Sequence, residues 1–194
     1  MASAVVAVHY QNDVLHPDGK LRAGLAQDDE RRSSVIAGAR RLLDGARRRG
    51  VPVVSVAVAF PQDHAGVVQN SAMFRGAVES GALGEGSWGA AFHDELAPIP
   101  GEPVVQHTRI NAFYRSDLDD VLARLGADRL VVCGVATHSA VEHTARHAAD
   151  AGYRVTVASD ACAAPDDDLH RASLRVLSLH VERVATVDDV LVAL

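Results

Sequence analysis

Residues 129–144 read RLVVCGVATHSAVEHT. Leu130–Cys133 is a short, continuous apolar run, the pattern of a strand buried on both faces. Gly134 follows as a turn signal. A helical pattern then runs to Gly152, a residue type that ends helices. Strand, glycine turn and helix in that order form the unit from which parallel α/β sheets are built. The alternation continues in both directions. Strands are expected at 4–9, 51–58, 102–106, 129–134, 153–158 and 181–186. Helices are expected near 29–49, 117–125, 140–151, 167–179 and 187–193. Asp28 or Asp29 is placed to cap the first helix, and Gly50 to end it. Ser139-Ala140-Val141-Glu142 reads as a capping box for the helix near 140–151. Residues 60–101 are the one long irregular stretch, carrying Phe60, Met73, Phe74, Trp88 and Phe92.

At 194 residues the chain is read as one domain, 1–194, large enough to bury a core. A hydrophobic content of 48% and a mean hydropathy near zero are those of an ordinary globular protein. The net charge of −6 argues against nucleic acid and against an anionic membrane surface as partners. No apolar run is long enough to span a bilayer. Met-Ala-Ser leads directly into a strand without a leader pattern, so a cytoplasmic location is expected. The two cysteines, Cys133 and Cys162, offer neither a disulfide framework nor metal spacing and read as buried, inert thiols. Lys20 is the only lysine, in a loop beyond the first strand from which it could approach the site, though nothing in the sequence places it there. There is no Gly-x-Gly-x-x-Gly turn and no Walker phosphate loop, so no cofactor is expected.

CGVATHSAVEHT (133–144) closely resembles the nucleophile turn of the isochorismatase-like cysteine hydrolases, whose usual pattern is C-G-V-A-T-x-x-C-V-x-x-T. AVVAVHYQND (4–13) is similar to that family's first strand, hydrophobic-I-D-x-Q-N-D. PVVQHTRINAFYRSDL (103–118) is similar to its V-V-x-K-x-x-x-S-A-F-x-x-T-x-L segment. GSWGA (86–90) and SDACAA (159–164) are further marks. The resemblance implies an α/β fold of three layers, a doubly wound six-stranded parallel sheet in the order 3-2-1-4-5-6. It also implies that residues 60–101 roof the pocket and contact a neighbouring subunit, in a homo-oligomer, dimer or tetramer. In the family an aspartate is the general base, a lysine completes the triad and a cysteine is the nucleophile. Here His9, His107 and Ala140 stand at those places. By the same resemblance, amides near Ala136 and Ala140 form an oxyanion hole, and a non-proline cis peptide shapes the turn. The Asp-x-His metal site of nicotinamidases has no match in VAVAFPQDHAG (56–66).

A methyl group has no lone pair, so Ala140 excludes covalent catalysis from its position; Ser139 beside it is an alternative nucleophile if a histidine activates it, with the capping box the preferred reading. Ligands in doubly wound sheets bind beyond the strand C-termini at the switch point, so His9, His107 and the 134–140 turn are expected to converge there. Histidine titrates near neutrality and serves as acid, base or metal ligand. His9 and His107 are therefore the catalytic candidates, with His138 or His143 as a possible third ligand if a metal is held. His143 and His147, four apart on a helix, read as a surface or interface pair. Backbone donors at Ala136, Thr137, Ser139 and Ala140 are candidates for holding an oxyanion. Phe74 and Trp88 are candidate pocket walls. Asp13, Asn111 and Tyr114 are candidate ligand contacts, with Asp13 equally a loop cap, and Tyr10 pointing either into the pocket or to the opposite face. Three functions follow as expectations. The first is an enzyme acting on a small, uncharged or weakly polar organic substrate by histidine acid/base chemistry. The others are a catalytically silent relative that binds a ligand or partner, and a histidine-ligated metal enzyme.

Overall fold

A computed structural model of the chain describes residues 2–194. Valine and alanine fill the first strand, β1 (Ala2–Val8), which is fully buried from Ala4 onward. It is followed by α1 (Asn12–Leu15), α2 (Arg31–Arg48), β2 (Val53–Val58), α3 (Ala72–Ser80) and β3 (Val104–His107). Then come α4 (Leu118–Arg124), β4 (Ala127–Val135), α5 (Glu142–Asp150), β5 (Arg154–Ala163), α6 (Asp167–Leu177), β6 (Arg183–Ala185) and α7 (Val187–Ala193). The strands form one sheet in the order β3-β2-β1-β4-β5-β6, and every neighbouring pair is parallel. This is the expected doubly wound α/β fold. The chain winds outward in one direction through β2 and β3 and in the other through β5 and β6. Right-handed crossovers therefore place α2 on one face and α5 and α6 on the other. The core sits between these layers.

The switch point lies between β1 and β4. There Gly134 adopts φ +143°, and a Cβ on it would meet the Val8 carbonyl oxygen at 2.2 Å. Only glycine lets the two strand ends approach so closely. At the helix ends, Gly50 and Gly152 behave as the sequence indicates. Val51 N–H returns to Ala46 O and Tyr153 N–H to Ala148 O, each closing a helix behind a left-handed glycine.

Four expectations are corrected. Residues 60–101 are not wholly irregular, because they contain α3. Ser71 Oγ accepts from Phe74 N–H at its start, and Gly81 closes it in the left-handed region. The capping box at Ser139 does not form. Thr137–Val141 makes a wide π-type turn in which Ser139 and Val141 N–H both return to Ala136 O, so Ser139 lies inside the first turn. Glu142 pairs with Arg146 at 2.7 Å instead. In α2, Glu30 holds the cap position without a side-chain bond, while Asp29 Oδ1 accepts from Arg31 N–H from one residue further out. β5 also runs five residues beyond its expected end, because Cys162 and Ala163 rejoin the ladder beside Gly134 and Val135 after an irregularity in the pairing. Cys133 and Cys162 are free and buried, and burial pushes the Cys133 thiol up to about 12.

Candidate active site

His9 follows the last residue of β1 and has φ +58°, a left-handed conformation that costs a side-chain-bearing residue about 1–2 kcal/mol. Its N–H is fixed to Val56 O at 2.9 Å. His107 ends β3, two strands away. Between them the rings meet, with His9 Nε2 2.6 Å from His107 Nε2 and the ring planes 26° apart. Both side chains are buried. One ring must donate an N–H and the other accept it. Burial holds His9 well below the usual histidine value, and the neighbouring His107 reinforces this. Burial pushes His107 down to about 4, which the Asn111 backbone only partly opposes. The pair is thus uncharged at neutral pH.

A cavity of about 530 Å³ opens over the C-terminal ends of β1, β2 and β4. His9, Phe74, Ala136, Ser139 and Ala140 line it, and His107 does not. His107 therefore backs His9 from behind. With His9 Nε2 taken by His107, Nδ1 is the ring nitrogen left for a ligand, and it makes no hydrogen bond within the described residues. If the shared proton sits on His9 Nε2, Nδ1 is a base; if it sits on His107 Nε2, His9 carries its proton on Nδ1 and is an acid. The Val135–Ala136 peptide at the cavity floor is cis. A groove of similar size, about 490 Å³, lies beside α2 and α6 but contains neither member of the pair.

The remaining candidates lie elsewhere. Asp13 is a brace. Its carboxylate accepts from Leu83 N–H at 2.7 Å and Lys20 N–H at 3.1 Å, and it presses so closely on Gly89 that a Cβ there would lie 2.0 Å from Oδ2. Gln11 and Asn12 tie the same loop down by donating to Ala90 O and Trp88 O. Trp88 is half exposed, edge-on to His16. Asn111 engages His147 and Phe113 N–H. Tyr114 lines a neighbouring depression. Thr137 is fully buried against His170. Tyr10 points away from the cavity, its hydroxyl donating to Ala161 O. His143 turns back to Ser139 O, and His147 stacks on Phe113.

Three ionisable cavity residues were not assigned there from the sequence: Lys20, Arg109 and, as a wall residue, His138. Arg109 follows His107 by two residues and so shares its strand-end position, a signal the sequence did contain. Lys20 is drawn in because Asp13 holds its backbone, which no local pattern announces. Among the described residues, no three His, Cys, Asp or Glu side chains are grouped to hold a metal ion. The histidine pair is itself too close to straddle one. Two nitrogens each about 2.0–2.1 Å from a tetrahedral ion stand roughly 3.3 Å apart, not 2.6 Å.

Comparison with known proteins gives a consistent picture. The isochorismatase domain matches residues 3–189. The chain is 31% identical to the uncharacterized isochorismatase family protein YwoC of Bacillus subtilis, over 88% of each chain. It is 32% identical to the ureidoacrylate amidohydrolase RutB of Methylobacterium radiotolerans, over 88% of this chain and 70% of that one. Among solved structures, an isochorismatase-like hydrolase from Alkaliphilus metalliredigens superposes with a TM-score of 0.82 at 26% identity, over 100% of this chain and 99% of that one.

Proposed function

The chain belongs to the isochorismatase hydrolase family, and from that premise we propose that it is an enzyme acting on a small organic substrate by non-covalent, histidine-based acid/base chemistry. The observation that carries this reading is the 2.6 Å Nε2–Nε2 contact between a histidine in the cavity and a histidine behind it. Ala140 removes the thiol, and the two cysteines of the chain are buried with raised pKa values, so no thiol replaces it. A neutral base remains, however, because burial holds both rings below the ordinary histidine value, His107 at about 4. The pair can therefore take a proton from water or from substrate carbon and return it to a leaving group, carrying out hydrolysis, hydration or proton transfer. His9 is the catalytic residue, and His107 is a positioning residue that sets its tautomer. Ala136 N–H, which has no backbone acceptor among the described residues, and the N–H groups around Ala140 supply the oxyanion contact. Phe74 forms an apolar wall. On the same reading the protein works in the cytoplasm as a homo-oligomer.

The test is a screen of amides, esters, enol ethers and enolisable acids. We expect turnover by the wild-type protein that falls about a hundredfold or more in His9→Gln. His107→Gln should also lower kcat while leaving KM nearly unchanged. Turnover unaffected by either variant overturns the assignment. Ligand binding without any turnover would identify a silent relative instead.

A further inference from the structure

The cavity that holds His9 is lined by two cations and, among the described residues, by no carboxylate. This is the reverse of the chain as a whole, where 25 acidic residues outnumber 19 basic ones. Several surface cations, Arg31, Arg47, Arg146 and Arg154 among them, each face an Asp or Glu. Lys20 and Arg109 do not. Lys20 Nζ donates to the Gly81 carbonyl at 2.7 Å and makes no other hydrogen bond among the described residues. Arg109 is held more firmly and only by neutral groups. Its guanidinium lies 3.5 Å over the centre of the Phe74 ring, Nη1 donates to Val68 O at 2.9 Å, and Nη2 donates to Asn70 Oδ1 at 2.8 Å. A guanidinium has five N–H donors, so the contacts that fix the plane leave a donor on each terminal nitrogen. The result is an oriented fork, facing no carboxylate among the described residues, at the wall between this largely apolar cavity and the neighbouring depression.

Such a fork matches a carboxylate. Apolar walls strengthen the attraction by excluding water, and a cleft with charge of one sign concentrates ligands of the other. Resting on the reading of this cavity as the substrate site, we propose that the substrate is a small organic acid whose carboxylate is anchored by Arg109. Lys20 adds a second positive charge to the same cavity, and Phe74 and Ile110 flank the apolar body of the ligand. This replaces the expectation of an uncharged substrate. The fork also orients the ligand, because a carboxylate fixed at Arg109 leaves the rest of a short chain to reach His9.

Binding tests this without any need for turnover, so its failure is distinct from failure of the catalytic assignment. Benzoate, phenylacetate and hexanoate are compared with benzyl alcohol, 2-phenylethanol and hexanol by ligand-observed NMR on the full chain. The acids should bind, with affinity falling as salt is raised, and the alcohols should bind at least tenfold more weakly. Arg109→Gln should weaken the acids by about tenfold or more, and Lys20→Gln, in an exposed loop, by about threefold. Arg109→Lys, which keeps the charge without the fork, should fall between wild type and Arg109→Gln, and this controls for loss of the packing on Phe74. The proposal is overturned if no acid binds, if the alcohols bind as tightly, or if folded Arg109→Gln and Lys20→Gln both bind the acids like the wild type.

Discussion

His9 replaces a charged carboxylate by a ring that burial keeps neutral, and the consequence is measurable in stability as well as in chemistry. Both members of the pair have folded-state pKa values below the ordinary 6.5, His107 at about 4. Below pH 6.5 the unfolded chain therefore binds more protons than the folded one. The stabilising contribution is complete above about pH 6.5 and is lost as pH falls toward 4, by about 3 kcal/mol for His107 alone as an upper figure. Urea unfolding at pH 7.5 and pH 4.5 should show this loss, and a His9→Gln/His107→Gln double variant should lose less. Equal acid sensitivity of the two proteins would show that the pair is not buried neutral. Ala140 leads to a second expectation. Ala140→Cys places a thiol at the turn, but no aspartate among the described residues lines the cavity and Lys20, which does, is bonded to the Gly81 carbonyl, so the variant should gain no amidase activity above wild type. A strong gain would mean that the rest of the site still supports thiol chemistry. These substitutions were plain in the sequence because the surrounding pattern was intact. That the rings touch was not, since contact depends on the left-handed turn at His9 and on β1 and β3 flanking β2.

At the scale of elements, the Gln11-Asn12-Asp13 segment after β1 acts as a clasp on the 83–93 loop. Asp13 satisfies Leu83 and Lys20 N–H, and Gly89 leaves room for its carboxylate. Asp13→Ala leaves a buried N–H unsatisfied and should cost about 2–3 kcal/mol. Gly89→Ala forces a methyl onto the carboxylate and should cost about 1–3 kcal/mol. The two must couple, because removing the carboxylate makes room for the methyl. A double-mutant cycle should find Gly89→Ala much cheaper in the Asp13→Ala background, whereas strict additivity would contradict the clasp. Periodicity located the central strands and most helices because their burial is uniform. It missed α3, whose signals are a lone Ser71 and Gly81, and it misread Ser139-x-x-Glu142, where the π-type turn moved the helix start inward. Short-range capping rules fail where a tertiary constraint sets the first turn.

Across the whole molecule the sheet order follows from alternating strands and helices together with the family likeness, and it places the site at the switch between β1 and β4. The sequence named several lining residues but did not announce the charge of the cavity. Lys20 and Arg109 arrive from separate loops and Phe74 from a helix read as irregular, so the charge of the site emerges only when the loops fold over it. The same roof leaves Val68, Met73 and Tyr114 exposed. Apolar exposure of this kind fits a subunit contact, and light scattering should find a dimer or tetramer; a monomer at micromolar concentration would contradict it. The central claim is that a buried, neutral His9–His107 pair has taken over the proton transfer of a lost triad. The pH dependence of kcat/KM on a substrate found by screening tests it most directly. A base must be unprotonated to act, so activity should persist from pH 8 down through 6.5 and fall only well below the ordinary histidine value, as one apparent ionisation of the coupled pair. His107→Gln should shift that limb. An acid limb at the ordinary histidine value of 6.5, or one that His107→Gln leaves in place, would contradict the account.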